Sequence, residues 1–210
     1  MTTSFDYIVV GGGSAGCVLA SRLSEDPTVK VCLIEAGKRD TNPFIHIPAG
    51  FAKMTGGPLT WGLQTEPQKY ANNRRIGYVQ GRVLGGGSSI NAEVFTRGHA
   101  SDFDRWEQEG ARGWSFKEVQ KYFLRSEGNT ILSGASHGTA GPLGVSDLAS
   151  PNITPRAFVQ SCQEMGLAYN RDFNGEKQEG VGLYQLTVLN QKRCSTAVGY
   201  LRPVLGRKNL

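Results

Sequence analysis

The first 35 residues constrain the fold more than any other part of the chain. Residues 5–10 (FDYIVV) form a short apolar run rich in strand-forming side chains, and the run ends in three consecutive glycines. Residues 14–23 (SAGCVLASRL) place apolar and small side chains at helical spacing, and residues 29–34 (VKVCLI) form a second apolar run. This order predicts a βαβ unit, the opening of a doubly wound α/β domain with a parallel sheet.

The turn after the first run carries the pattern G-x-G-x-x-G at Gly11, Gly13 and Gly16. These glycines permit a tight turn, close approach of a phosphate and close packing of helix on strand, respectively. Ser14 lies near the helix capping position, where free N–H groups bind an anion. Glu35 ends the second run, 19 residues beyond Gly16, where a carboxylate accepts hydrogen bonds from ribose hydroxyls and repels a phosphorylated ribose. The segment predicts a site for NAD or FAD and disfavours NADP.

A second glycine cluster begins about 70 residues after the first, where residues 81–98 read GRVLGGGSSINAEVFTRG. Consecutive glycines followed by Ser88 and Ser89 predict a loop of exposed N–H groups and hydroxyls that binds an anion. Arg82 adds a cation able to face a phosphate. Since one glycine turn is enough for one pyrophosphate, two turns indicate a ligand supported in two places, and FAD fits this better than NAD.

Residues 81–98 also closely resemble the first signature of the glucose–methanol–choline (GMC) oxidoreductase family, whose members use FAD to oxidise alcohols. Similar stretches follow elsewhere: EAG at 35–37, GPL at 141–143, DFNG at 172–175, RCSTA at 193–197 and YLRPVL at 200–205. The resemblance runs from about Asp6 to Leu210 and is closest to bacterial dehydrogenases of aliphatic or polyether alcohols. It implies an α/β, FAD-binding Rossmann-like domain, incomplete in this chain, with part of an α+β substrate domain.

The resemblance assigns FAD contacts to both glycine loops, to the acid after the second strand and to the segment that follows residue 90. The set is Gly11, Gly13, Ser14, Ala15, Gly16, Glu35, Ala36, Arg82, Val83, Leu84, Gly85, Gly86, Ser88, Asn91, Ala92, Glu93 and Val94. Some relatives attach the flavin covalently through a histidine in this segment, where this chain has Asn91, so non-covalent FAD is implied. Two interpretations of Glu93 stay open: its side chain lines the substrate cavity, or it forms a surface salt bridge.

The implied reaction is hydride transfer from a primary alcohol CH–OH group to flavin N5, with a quinone, a dye or oxygen as the electron acceptor. Such a reaction needs a base for the hydroxyl proton. None of His46, His99 and His137 matches the family's catalytic histidine, which we expect beyond Leu210, so no catalytic residue is assigned. The 210-residue chain alone is therefore expected to be inactive and to need a missing C-terminal half. The alternative is a non-catalytic flavin-binding or interaction module.

The resemblance also divides the chain into domains. Residues 1–150 are expected to form the FAD-binding domain, with an ordered cofactor-covering loop at about 41–80. Residues 151–193 would belong to the substrate domain, and residues 194–210 would return to the FAD-binding domain. Within these limits the patterns predict two helices in 102–127, a helix over 154–165, and strands over 183–189 and 191–194. Five aromatic side chains in 102–127 are expected in the core: Phe103, Trp106, Phe116, Tyr122 and Phe123.

Charge and composition exclude several other classes of function. The net charge of +5 is spread along the chain, which disfavours a nucleic-acid partner. The four cysteines lack metal-binding spacing, so no metal is expected, and they fit a reducing compartment. The N-terminus lacks the pattern of a signal peptide, and no apolar run is long enough to cross a membrane. The expected location is the cytoplasm, with peripheral association with the inner membrane face left open.

Overall fold

The structure is a computed structural model that describes residues 4–210. The chain forms two compact units. The first unit contains the described residues up to Glu93 together with Gln191–Leu210, and the second unit contains Val94–Asn190. These limits differ from the expected functional limits at residues 150 and 193, and the assignment of cofactor and substrate domains stays a prediction.

The first unit opens with the predicted βαβ unit. Strand β1 (Tyr7–Val10) is followed by helix α1 (Ser14–Leu23) and strand β2 (Val31–Ile34). The two strands are parallel, with Tyr7 opposite Val31 and Val10 opposite Ile34. The small residues of α1 form its buried side: Gly16, Cys17, Ala20 and Ser21. The predicted strand–turn–helix–strand order and the α/β fold class are confirmed.

The last residues of the chain lie along the other edge of β2. The N–H of Val31 donates to the carbonyl oxygen of Asn209 at 2.8 Å. The side-chain amide of Asn209 donates to the carbonyl oxygens of Asp26 and Val29 at 2.9 and 2.8 Å. Before this contact the chain forms a π-helical turn at Ala197–Leu201 that packs against α1. The C-terminal segment is therefore an integral part of the first unit.

Residues 41–80 are more regular than their sequence indicates. Helix α2 (Pro43–His46) and a 3₁₀ helix (Pro48–Lys53) come first. Strands β3 (Leu63–Gln64) and β4 (Gly77–Tyr78) then pair antiparallel in a ribbon. A small hydrophobic core anchors the segment to the second glycine loop; its members are Ile45, Met54, Leu59, Val83 and Ile90. The expectation of an ordered segment is confirmed, and its role as a cover stays a prediction.

The second unit begins with two helices, α3 (Ala100–Gln108) and α4 (Phe116–Ser126). Strand β5 (Glu127–Asn129) pairs parallel with β6 (Leu143–Val145), and helix α5 (Ile153–Glu164) follows. Both predicted helices of 102–127 and the helix predicted over 154–165 are confirmed. The strand predicted over 183–189 is reduced to β7 (Val188–Leu189), because residue 186 makes only isolated bridges. The strand predicted over 191–194 is reduced to β8 (Lys192–Arg193), which lies in the first unit.

The aromatic cluster of α3 and α4 is only partly buried. Phe103 is 8% exposed and lies at the centre of contacts with Trp106, Phe116 and Phe123, at ring distances of 5.3 to 6.0 Å. Trp106 and Tyr122 are 44% and 58% exposed. The expectation that all five aromatic residues belong to the core is therefore wrong for these two.

Across residues 4–210, no helix is both long and apolar enough to cross a membrane. The same residues contain no group of His, Cys, Asp and Glu side chains arranged to hold a metal ion. The four cysteines are free thiols.

Candidate cofactor site

The first glycine loop adopts the geometry that its sequence predicts. Gly11 has a φ of +97°, in the left-handed region that glycine enters without strain. A Cβ on Gly16 would lie 1.8 Å from the carbonyl oxygen of Gly11, so only glycine lets α1 start this close to the turn. Helix α1 begins after Gly13, and in the described chain no side chain caps it. Ser14 is the first helical residue, directly after the N-cap Gly13, which agrees with its expected place near the capping position. The exposed first turn offers unsatisfied N–H groups and the positive end of the helix dipole.

Glu35 is fixed by the backbone of two neighbouring turns. Its Oε2 accepts a hydrogen bond from the N–H of Gly12 at 2.6 Å, and its Oε1 accepts one from the N–H of Gly37 at 2.5 Å. The side chain is half-buried, and Ala36 beside it is exposed. Since each carboxylate oxygen accepts more than one hydrogen bond, the oriented carboxylate keeps lone pairs for a ligand.

The second glycine loop lies directly against the first. The N–H of Gly85 donates to the carbonyl oxygen of Gly12 at 2.7 Å. A Cβ on Gly86 would lie 2.7 Å from the Cα of Gly13, so the two backbones touch at a point where neither residue has a side chain. Leu84 extends the contact, because its N–H donates to the carbonyl oxygen of Lys38 at 2.9 Å. Two segments about 70 residues apart in the sequence therefore form one surface of backbone groups.

The hydroxyl groups of the second loop are used inside the protein. Ser88 Oγ donates to the carbonyl oxygen of Gly85 at 2.6 Å and lies 2.9 Å from Thr196 Oγ1. Ser89 is fully buried and its Oγ donates to the carbonyl oxygen of Leu84 at 2.7 Å. The expectation of exposed serine hydroxyls is thus wrong, because these side chains close the 3₁₀ turn at Gly86–Ser89. The expectation of exposed N–H groups is also wrong for most of the loop, because these donate to carbonyl oxygens of the protein: Gly85, Gly86, Ser88, Ile90 and Asn91. Gly87 is exposed, with open space where a Cβ would be.

Arg82 and Val83 begin the second loop and point to different surroundings. The Arg82 guanidinium lies over the Trp61 ring at 4.8 Å, and the side chain remains exposed. A guanidinium that lies over an aromatic ring still directs its N–H groups outward in its own plane, where they can donate to a ligand. Val83 is fully buried in the small hydrophobic core, so only its backbone is available to a ligand.

Glu93 corrects both interpretations that the sequence left open. Its side chain is 1% exposed and forms an ion pair with Arg193, with Oε1 2.8 Å from Nη2. It therefore lines no cavity and forms no surface salt bridge. Burial raises the pKa of the Glu93 carboxyl, and the attraction of Arg193 opposes this shift. Its backbone has a φ of +65°, and its N–H donates to Asn91 Oδ1 at 3.1 Å.

Comparison with known proteins decides the family. A family model described as GMC oxidoreductase matches residues 5–210. The chain belongs to the GMC oxidoreductase family. The resemblance inferred from residues 81–98 is thereby confirmed.

The relatives of this GMC chain are oxidoreductases of about two and a half times its length. It is 48% identical to an alcohol dehydrogenase (acceptor) from Pseudomonas putida over 98% of its own length and 38% of that protein's. It is 46% identical to an oxygen-dependent choline dehydrogenase from Sinorhizobium fredii, again over 98% and 38%. Among solved structures, pyridoxine 4-oxidase from Mesorbium loti matches with a TM-score of 0.93 and 36% identity, over 99% of this chain and 41% of that one. An FAD-dependent oxidoreductase from Chaetomium thermophilum matches with a TM-score of 0.91 and 31% identity, over 98% and 37%.

The GMC chain brings nearly all of the predicted cofactor residues into the first unit. Gly11 to Gly16, Glu35 and Gly85 to Ser88 surround the contact between the two loops, and Ala92 is exposed on the turn after Asn91. Val94 belongs to the second unit, where it makes an antiparallel bridge to Leu186. Whether each of these residues contacts FAD stays a prediction.

A cleft of about 710 Å³ lies beside Glu35 in the first unit. Apolar side chains of β2, of the second glycine loop and of the C-terminal segment line much of it: Cys32, Leu33, Leu84, Leu201 and Leu205. Arg202 and Asp40 form an ion pair of 2.8 Å in the wall of this cleft. A largely apolar cleft next to an oriented carboxylate suits a flat ring joined to a ribose. The sequence did not reveal the cleft, because its walls come from segments more than 150 residues apart.

Each of the three histidines makes contacts within the fold. His46 Nε2 lies 2.7 Å from the carbonyl oxygen of Asp40. His99 Nδ1 accepts from the N–H of Ser101 at the start of α3, at 3.3 Å. His137 is buried in the second unit, between Glu127 and Asp172, with both ring nitrogens 2.8 Å from a carboxylate oxygen.

The surroundings of His137 shift the pKa of its imidazole. Burial by itself would lower the pKa of His137, but the hydrogen bonds and attraction of Asp172 and Glu127 outweigh burial, so the pKa is raised. Glu127 also pairs with Arg97, which is buried. The two carboxylates therefore favour the imidazolium form of His137, and Arg97 faces the same Glu127 carboxylate.

Proposed function

We propose that this chain is the cofactor-binding portion of an FAD-dependent oxidoreductase that oxidises a primary alcohol. The contact between the two glycine loops carries the proposal. It places the second glycine loop, with its exposed Gly87, against an uncapped helix N-terminus, and that helix end favours an anionic group such as a pyrophosphate. A ligand with one phosphate needs only one of these loops, whereas FAD extends beyond the pyrophosphate on both sides.

The two sides of the loop contact fit the two halves of FAD. On one side, Glu35 would accept hydrogen bonds from the adenosine ribose, and the adjoining apolar cleft would take the adenine. On the other side, the exposed turn at Asn91 and Ala92 would lie beside the isoalloxazine. The carboxylate of Glu35 repels a ribose 2′-phosphate, which disfavours NADP.

FAD, when bound, supplies the hydride acceptor of the reaction. The residues of this chain hold and orient it and shield part of it from water. We assign the base that removes the alcohol proton to the part of the relatives' length that this chain does not span, since His46, His99 and His137 are engaged in the contacts described above. The alcohol and the quinone, dye or oxygen acceptor are proposed on the same basis. A cytoplasmic location is supported by the free cysteines.

A charge placed at the helix N-terminus tests this proposal without disturbing the fold. Gly13 has a φ of −77° and a ψ of −162°, and the nearest atom to an added Cβ is 3.9 Å away. Asp is a favoured N-cap residue, so Gly13→Asp should hold or raise the stability of α1. The same carboxylate repels a pyrophosphate. We expect Gly13→Asp to weaken FAD binding about tenfold more than Gly13→Ala does, because the alanine methyl group only crowds the phosphate whereas the aspartate also repels it.

The measurement is quenching of FAD fluorescence by the purified chain, with competing nucleotides. ADP should displace FAD because it carries the adenosine and the diphosphate, and NADPH should not. The unfolding midpoint of each variant serves as the control for folding. FAD binding by Gly13→Asp that equals the wild type would contradict the placement of the pyrophosphate. Absence of FAD binding by the wild-type chain would contradict the proposed function.

A further inference from the structure

Arg193 is a buried arginine that connects three segments of the first unit. Its side chain is almost completely buried. Nε donates to the carbonyl oxygen of Ile45 at 2.7 Å, and Nη1 donates to the carbonyl oxygen of Ser88 at 3.2 Å. Nη2 forms the ion pair with Glu93 at 2.8 Å. An arginine offers these donors in one plane, in a fixed fork, so a single side chain fixes the relative positions of all three segments.

Arg193 also determines which way the amide of Asn91 faces. Nη1 donates to Asn91 Oδ1 at 2.7 Å, and the N–H of Glu93 donates to the same oxygen at 3.1 Å. Arginine has donors and no acceptor, so Asn91 must present its oxygen to Arg193 and its NH₂ group elsewhere. Asn91 is exposed, and among the described residues its NH₂ group has no acceptor. The exposed face of the turn therefore presents two N–H donors in a fixed direction.

We propose that Arg193 is a positioning residue: through Asn91 Oδ1 it orients the Asn91 NH₂ group to donate a hydrogen bond to an acceptor atom of the bound isoalloxazine. The proposal rests on the proposed function, because it takes FAD as the ligand of the exposed turn. Arg193 itself touches no ligand.

Glu93 completes this arrangement by balancing the charge of Arg193. A single buried cation is costly, and the ion pair with Glu93 offsets part of that cost. The N–H of Glu93 donates back to Asn91 Oδ1, which forms a tight Asn turn. The pair therefore supports the orientation of Asn91 from both the side chain and the backbone.

Arg193→Lys tests the positioning role, because lysine keeps the positive charge but lacks the planar, forked set of N–H donors. A single ammonium group cannot reach the acceptors of Ile45, Ser88 and Asn91 together. We expect Arg193→Lys and Asn91→Ala each to weaken FAD binding about tenfold, the value of one hydrogen bond. If Arg193 acts through Asn91, the double variant should bind FAD no more weakly than Asn91→Ala does. The visible circular dichroism of the bound flavin should change in the same way in all three variants.

Arg207→Lys is the matched control for loss of arginine hydrogen bonds. Arg207 also lies in the first unit and donates to Ser21 and Ser24, away from the Asn91 turn. Arg207→Lys should lower the unfolding midpoint and leave the FAD affinity and the visible circular dichroism of the flavin unchanged. Independent, additive effects of Arg193→Lys and Asn91→Ala, or an Arg193→Lys effect limited to stability, would overturn the proposal.

Nuclear magnetic resonance of the FAD-free chain separates this inference from the proposed function. In the wild type, the Asn91 side-chain NH₂ should give two resolved resonances, and in Arg193→Lys they should move towards the positions of a free amide. If the resonances respond in this way and FAD does not bind, the orientation holds and the proposed ligand is wrong. Resonances that are the same in both proteins would overturn the inference even if FAD binds.

Discussion

Substitution of Gly86 is expected to separate the two glycine loops. Gly86 has a φ of +54°, and an added Cβ would lie 2.7 Å from the Cα of Gly13. A left-handed conformation costs a non-glycine residue about 1–2 kcal/mol. A methyl group forced against a backbone atom costs about 1–3 kcal/mol more, because neither backbone can move without breaking the Gly85–Gly12 hydrogen bond. Gly86→Ala should therefore lower the free energy of unfolding by about 2–5 kcal/mol.

Gly87 provides a control at the next position. An added Cβ there meets no atom within 4 Å, and its φ lies outside the left-handed region. Gly87→Ala should change the free energy of unfolding by less than about 1 kcal/mol, and in the stabilising direction. Urea unfolding followed by circular dichroism measures both variants. If Gly86→Ala is as stable as Gly87→Ala, the close contact between the loops is not a feature of the folded protein.

Three further predictions concern charge and the cofactor. Glu35→Gln should weaken FAD binding about tenfold or more and lower stability, because an amide cannot accept from both Gly12 and Gly37; unchanged FAD affinity in a fluorescence titration would refute the role of Glu35. The folded pKa of His137 is raised above its unfolded value of about 6.5, so its stabilisation is fully present below that pH and is lost as the pH rises through the folded pKa. The difference in unfolding free energy between the wild type and His137→Gln should therefore shrink from pH 6 to pH 9, and a difference that grows with pH would contradict this sign. Acid precipitation of the FAD-loaded protein should release all of the flavin into the supernatant, and yellow colour in the pellet would show a covalent link.

The first glycine loop could be predicted from the sequence because its determinants are local. Strand, turn and helix follow one another within 20 residues, and the glycine positions have one geometric explanation each. The prediction failed for Ser88 and Ser89. The sequence shows that their hydroxyl groups are present but does not show which groups they form hydrogen bonds with in the fold. Their partners include Thr196, more than 100 residues away.

The surroundings of Glu93 could not be predicted for a similar reason. The residues next to Glu93 in the sequence do not show whether its side chain is exposed or buried. Its partner Arg193 is 100 residues away and reaches Glu93 only in the folded chain. The ribbon formed by β3 and β4 was also missed. Its strands are two residues long and lack the alternation of a half-buried sheet, since their side chains are exposed. The family resemblance assigned cofactor residues where periodicity could not, because it depends on residue identity and not on pattern.

Hydrogen exchange with and without FAD tests the central claim, that both glycine loops hold one cofactor. Peptides that cover residues 11–16 and 85–91 should both exchange more slowly when FAD is present. Protection of these two segments should rise together with FAD concentration, with a single midpoint, because one ligand contacts both. Protection of residues 11–16 alone, or of the second unit with neither loop affected, would contradict the account.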